Sequence, residues 1–182
     1  LADCVHQALD RQCPDGITFY NRSIGGKMYS GLFDSQYASY IPWYIGKETT
    51  TWIDLVEELN PDLVIFGFGM NDSSTINPFY VKSAIEELQT WSKIPSIVLA
   101  TPLVPSPTSE TFNEGLDGQE GRDMAAGLIR SFANYKNVGL LDFNRKVNMA
   151  RDGFDILSTS FKKGEYITPI SSGPSSIAIG TE

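Results

Sequence analysis

The sequence has a single histidine and two cysteines among its 182 residues, and no apolar run long enough to cross a bilayer. Each scarcity removes a class of function. A membrane-spanning helix needs about 18 to 20 consecutive apolar residues, and no stretch approaches that. Nor does a basic-then-apolar segment at Leu1 mark a secretory signal. One His without a Cys-x-x-Cys pair is a poor ligand set for tetrahedral zinc, so neither a metal nor another cofactor is expected. Cys4 and Cys13 are too few to define a disulfide framework and read as ordinary thiols, with a local bridge as the alternative. Positive charge is also sparse, with 14 Lys and Arg against 22 Asp and Glu, a net charge of -8. The densest basic run is Lys162-Lys163. Nucleic acid and anionic membranes need clustered cations, which excludes both as expected partners.

What is present is an ordinary globular composition, 41% hydrophobic and 20% charged, in a length that suits one domain with a sizeable core. Leu1, Val5, Ala8 and Leu9 recur at helical spacing, and Pro14-Asp15-Gly16 then signals a turn. Ile17-Thr18-Phe19-Tyr20 reads as a short strand running into Gly25-Gly26. The Tyr-rich stretch from Tyr29 to Tyr44 has no clean period and is expected to be an irregular surface excursion. Trp52, Leu55, Val56 and Leu59 predict a helix capped by Thr51. Leu63-Val64-Ile65-Phe66 is a continuous apolar run, as in a strand buried on both faces of a parallel sheet. Asn77-Pro78 opens a helix with Val81, Ala84, Ile85, Leu88 and Trp91 on one stripe.

Ile97-Val98-Leu99-Ala100 predicts the next strand, followed by a Pro-rich loop through Pro107. Met124, Ala125, Leu128, Ile129 and Phe132 mark the core face of another helix. Residues 138–143 predict a last strand, and a short helix is expected around Val147. This alternation is the signature of βαβ units, hence an α/β fold with a parallel sheet between helices. Residues 1–168 are assigned to that core. The Ser-, Gly- and Pro-rich tail, 169–182, reads as a linker or the entry to a further insert.

In open α/β sheets ligands bind beyond the carboxyl ends of the strands. Three segments occupy that position: Asn21 to Gly26, Gly67 to Asp72, and Thr101-Pro102. Glycines there permit sharp turns and close backbone approach to a ligand. Gly26 offers a backbone N–H and Asn71 a side-chain amide, the donor types that stabilise the oxyanion of a tetrahedral acyl-transfer intermediate. Arg22 and Thr101 are candidate substrate contacts. Asp72 is either an orienting group for the Asn71 loop or a helix cap. Singly, Gly25-Gly26 could be only a turn; two such loops on consecutive strands favour a site.

These segments resemble the second and third sequence blocks of the SGNH/GDSL serine hydrolases. Asn21 and Gly26 fit the second. The run Pro61-Asp62-Leu63-Val64-Ile65-Phe66-Gly67-Phe68-Gly69-Met70-Asn71-Asp72 closely fits the third, and the resemblance extends from Leu1 to about Phe154. It implies a flavodoxin-like three-layer α/β/α sandwich of about five parallel strands. It also implies hydrolysis of acyl or acetyl esters without a cofactor, with the Gly26 N–H and the Asn71 amide joining the nucleophile's own N–H as the oxyanion hole.

Two departures accompany the resemblance. The family's Gly-Asp-Ser nucleophile block precedes the helix in which this sequence opens; Phe33-Asp34-Ser35 is similar but lies after the second block, which speaks against Ser35 as nucleophile. The Asp-x-x-His block belongs near the C-terminus, where there is no His. Asp3-Cys4-Val5-His6 spells that pattern, yet in a helix Asp3 and His6 form an i, i+3 surface pair; only a circularly permuted enzyme would use His6 as base. The resemblance thus implies that the nucleophile and histidine lie on remaining segments of the same polypeptide. In the order 2-1-3-4-5 the unmatched first strand is central, so the fold is expected to be incomplete and unstable by itself.

Some SGNH esterases of bacteriophage tail proteins carry an inserted carbohydrate-binding domain before the histidine block. That parallel implies a carbohydrate O-acetyl ester as substrate, a virion or extracellular setting and a homo-oligomer. The aromatics from Tyr29 to Trp52 would then suit sugar stacking; the alternative is that they pack on one another. A non-catalytic SGNH-like module that binds glycan or a structural partner is the competing function. A nucleotide or flavin binder is disfavoured, because the loops lack Gly-x-Gly-x-x-Gly and P-loop spacing.

Overall fold

The computed structural model describes residues 6–7, 11, 16–35, 41–105, 118–151, 166–169 and 177–180. Three strands, β1 (Leu63–Phe66), β2 (Ser96–Ala100) and β3 (Gly139–Leu141), form a parallel sheet in the order β1-β2-β3. Val64 pairs with Ile97, and Leu99 with Leu140. The helices are α1 (Trp52–Glu57), α2 (Pro78–Leu88), α3 (Gln119–Lys136) and α4 (Phe143–Arg151). The chain is therefore α/β, with a three-stranded parallel sheet flanked by helices, the class that the strand–helix alternation predicts. Among the described residues, no helix is long and apolar enough to cross a membrane.

Local chemistry explains the element boundaries. Thr51 accepts the Asp54 N–H at 3.3 Å and starts α1. Asn77 accepts the Phe79 N–H at 2.9 Å and Pro78 occupies the first turn of α2, where its missing N–H is harmless. Helix α3 ends at Asn137, which adopts the left-handed conformation at φ 51°, ψ 47°. Val81, Ala84, Ile85 and Leu88 on α2 are all fully buried, and each larger side chain contributes about 1.5–3 kcal/mol by leaving water. Right-handed β1-α2-β2 and β2-α3-β3 crossovers in one direction put α2 and α3 on the same face. There Lys136 of α3 meets Glu86 of α2 at 2.7 Å.

Three expectations change. Met124 is 53% exposed, and the buried stripe of α3 is Gly121, Ala125, Ile129 and Ala133, spaced four apart, with Leu128 and Phe132 half-buried. The narrow sites of that stripe let α3 lie close to the sheet and to the loop at Gly69 (an added Cβ there would stand 3.1 Å from Ile129 Cδ1). Residues 17–20 form no strand. No described strand pairs with that segment, so it has no ladder to join.

The Tyr-rich stretch is not a surface excursion. Two short 3-10 turns, Tyr29–Phe33 and Pro42–Tyr44, bring Tyr29, Leu32 and Tyr44 into the core. The Tyr44 hydroxyl is satisfied by the main-chain carbonyls of Asp34, at 3.0 Å, and Thr50. The tail, read as a linker or the entry to a further insert, includes β5 (Ile177–Gly180), which pairs antiparallel with β4 (Tyr166–Pro169). Most of the expected first helix, including Asp3, Cys4 and Cys13, lies outside the described residues.

Candidate functional site

The Gly26 and Asn71 loops meet. Gly26 follows the irregular segment 17–25 and sits in a turn at φ 73°, a left-handed conformation that favours glycine. It is exposed, its N–H makes no backbone hydrogen bond among the described residues, and a Cβ there would meet nothing within 4 Å. Asn71 stands in the turn after β1, and its amide Nδ2 donates to the Lys27 carbonyl at 3.3 Å. Lys27 directly follows Gly26, so one hydrogen bond spans 44 residues of sequence and joins the two expected donors at one edge of the sheet.

Asp72 fastens that junction. Its carboxylate is buried; Oδ1 accepts the N–H of Tyr29 at 3.0 Å and Oδ2 accepts the N–H of Gly69 at 3.1 Å. One oxygen therefore holds the loop that carries Gly26, and the other holds the loop that carries Asn71. Of its two expected roles, orienting is the one observed: at the head of the 3-10 turn Ser73–Thr75 its side chain makes no capping bond. Burial pushes its carboxyl above the ordinary aspartate range, and the N–H groups of Tyr29 and Gly69 pull the other way. Tyr29, wholly buried and beside Asp72, has its phenol pushed up by burial first and by that carboxylate second. Gly69 itself requires φ 100°, between Ile129 and Pro102.

Thr101 is at the correct end of β2 but its hydroxyl is engaged. It donates to Asp142 at 3.2 Å and accepts the Asn144 N–H at 2.9 Å, and the residue is 2% exposed. It ties the end of β2 to the end of β3. Asp142 in turn receives Arg130 through Nε at 2.8 Å and Nη2 at 2.9 Å. Burial raises the Asp142 carboxyl, but the Arg130 bonds, the Arg145 N–H and Thr101 outweigh it, and the net direction is down. The same Arg130 reaches Asn144, which also bonds Asp123. Sequence reading passed over this Asp142–Arg130–Asn144 network; the only signal was an Asp directly after an apolar strand. An open cleft of about 480 Å³ lies there, lined by Asp123, Arg130, Asn144, Arg145, Asn148 and Met149, and none of its walls comes from the Gly26 or Asn71 loops.

Arg22 is placed by rings. Its guanidinium carbon lies 5.5 Å from the centroid of Tyr20 and 5.2 Å from that of Trp43. The aromatics expected to stack sugar are largely taken up by the core: Tyr29 and Tyr44 are fully buried and Trp52 is 3% exposed. They pack on one another, Tyr29 against Phe68 at 4.9 Å and Trp52 against Phe68 at 5.4 Å. The Tyr44 hydroxyl finds main-chain carbonyls there, whereas the Tyr29 hydroxyl is buried with no hydrogen-bond partner among the described residues. Among the described aromatics of this stretch, Phe33 and Trp43 are half-buried. His6 stacks on Phe19 at 4.7 Å between ring centroids, and Ser35 is half-buried beside the Asp34 carbonyl that anchors Tyr44 and Trp52. No group of three His, Cys, Asp or Glu able to hold a metal ion occurs among the described residues.

By sequence, the chain matches no described family and no curated protein. By structure, it is similar to a carbohydrate acetylesterase from Sinorhizobium meliloti, with a TM-score of 0.43, 16% identity and coverage of 72% of this chain and 63% of that one. An aryl esterase from M. smegmatis gives a TM-score of 0.40 at 16% identity, over 59% of this chain and 57% of that one. The chain thus spans less than two thirds of the length of either esterase.

Proposed function

We propose that this chain supplies the oxyanion-stabilising part of an SGNH-type serine esterase, acting on acyl esters and preferentially on O-acetyl groups of carbohydrate. The observation that carries the reading is the Asn71 amide held 3.3 Å from the Lys27 carbonyl, next to the unengaged N–H of Gly26. A tetrahedral intermediate places a full negative charge on the former carbonyl oxygen. Two N–H donors fixed beforehand stabilise that charge without having to reorganise as it develops. The Asn71 amide has two N–H bonds, and the Lys27 carbonyl occupies one, which leaves the other for the substrate. The Asp72 clamp keeps the two loops in register, so Gly26 and Asn71 act on one atom.

The hydrolysis needs a serine to attack the acyl carbon and a base to take its proton. Neither role is assigned to Ser35 or His6, and the reading refers both to the intact polypeptide. The test is Asn71→Ala in that intact protein, assayed with p-nitrophenyl acetate and an acetylated oligosaccharide. Loss of one oxyanion donor lowers kcat by about a hundredfold with little change in KM. An unchanged kcat removes Asn71 from the machinery. Absence of serine-inhibitor-sensitive hydrolysis in the intact protein would replace the esterase by a non-catalytic module.

A further inference from the structure

The placement of Arg22 calls for a ligand. Arginine presents five N–H donors in a planar fork, and burying its faces against rings leaves the edge to bond in the plane. Here both neighbours are aromatic, Tyr20 at 5.5 Å and Trp43 at 5.2 Å from ring centroid to guanidinium carbon. Its one polar contact among the described residues is Nη1 donating to the carbonyl of the adjacent Asn21, at the 3.5 Å limit of a hydrogen bond. Among the described residues no carboxylate pairs with it, whereas Arg130 is paired bidentately to Asp142.

The holder is rigid on one side and open on the other. Trp43 leans on Tyr44 at 5.4 Å and Trp52 at 6.3 Å, both core residues, while Tyr20 is 49% exposed. Asn21 Oδ1 accepts the Ser23 N–H at 3.0 Å and folds the backbone around Arg22 into a local turn. The guanidinium is thus oriented in advance, four residues before Gly26 on the same loop.

We infer that Arg22, held between Tyr20 and Trp43, is a subsite for the carboxylate of an acidic sugar, so that the ester substrate is an acetylated, uronate-containing glycan. The inference rests on the reading of this loop as a substrate-binding edge. A carboxylate matches the guanidinium fork in two parallel bonds, and the exposed Tyr20 supplies apolar contact for the pyranose ring. The net charge of -8 offers an anion no long-range attraction, and screening at physiological salt confines its repulsion to about 8 Å. Recognition must therefore come from contact, which is what a fixed arginine provides.

The experiment uses the intact protein and a galacturonate tetramer, compared with the same tetramer methyl-esterified and uncharged. The expected result is binding of the acid form about tenfold or more tighter, a difference that shrinks with added salt and disappears in Arg22→Met. Equal affinity of the wild type for the two tetramers overturns the inference, and that comparison needs no variant to fold. An Arg22→Met protein of native melting temperature that keeps the preference overturns it as well, as does selective binding of a sulfated tetramer over the carboxylated one. Ester hydrolysis is read separately with p-nitrophenyl acetate. A protein that binds the uronate but cleaves no ester would refute the esterase and leave the subsite standing. An active esterase indifferent to the carboxylate would do the reverse.

Discussion

Replacing Asp72 separates the architecture of the site from its donors. Its two oxygens accept buried N–H groups of Tyr29 and Gly69, the first of them 43 residues away in sequence. Asp72→Ala leaves both donors without a partner, at about 1–3 kcal/mol each. Part of that loss is offset, because burial already disfavours the carboxylate, as its raised pKa records. The net destabilisation is about 2–4 kcal/mol. For a domain of this size each kcal/mol moves the midpoint by about 2–4 °C, so the melting temperature falls by roughly 5–15 °C. Asp72→Asn keeps one acceptor but turns an NH2 toward the other N–H, and its loss is about 1–3 kcal/mol.

Thermal melts of the intact protein give the size of the effect, and amide hydrogen exchange gives its location. Exchange must accelerate at Gly69 and Tyr29 together, because one side chain protects both. In an active preparation kcat should fall with it, since the Gly26 and Asn71 donors lose their common anchor. A melting temperature within about 1 °C of wild type, with unchanged exchange at both amides, refutes the clamp.

Two further outcomes follow from the same geometry. Gly69→Ala combines φ 100° with a Cβ 3.1 Å from Ile129 Cδ1 and 3.2 Å from Pro102 Cδ, and should destabilise by about 2–4 kcal/mol; Gly26→Ala has open space and only its φ of 73° to bear, so its loss should be about 1 kcal/mol in the same denaturant titration. The Asp142 carboxyl is depressed on folding, so its contribution is present above the ordinary aspartate range and is lost as pH falls through the lower, folded-state value. Urea midpoints measured between about pH 7 and pH 3 should therefore show a shallower acid decline in Asp142→Asn, and identical slopes would refute the pairing.

Sequence legibility varied with the range of the interaction. Leu63–Phe66 was readable as a strand of a parallel sheet from four apolar residues in a row, but it is not buried on both faces: Val64 and Phe66 are buried, Ile65 is half-buried and Leu63 is exposed. Helix α2 was readable because Asn77 and Pro78 specify its start and the stripe from Val81 to Leu88 its face. The turn that carries Asn71 follows such a strand, whereas the turn that carries Gly26 follows a segment that forms none. What stayed hidden was pairing at a distance. Nothing near Asp72 says that its partner is the N–H of Tyr29, and nothing near Thr101 says that Asp142 and Asn144 will absorb its hydroxyl. Tyr29 and Tyr44 are buried by 3-10 turns rather than by a helix or strand, and aperiodic burial leaves no pattern to read.

The site's mode of action follows from how its donors are fixed. Gly26 and Asn71 are both exposed, and a donor in contact with water does little for an oxyanion that water itself can solvate. In the proposed esterase their value to catalysis would lie in two features together: orientation, which the Asp72 clamp and the Lys27 carbonyl provide in advance, and exclusion of water, which the substrate must bring. A small acyl ester covers little of that edge. A glycan anchored at Arg22 would lie across the loop that carries Gly26 and displace solvent from both donors as it binds. Binding energy gained away from the reacting carbonyl would then serve the chemical step, which is the condition for raising kcat rather than merely lowering KM.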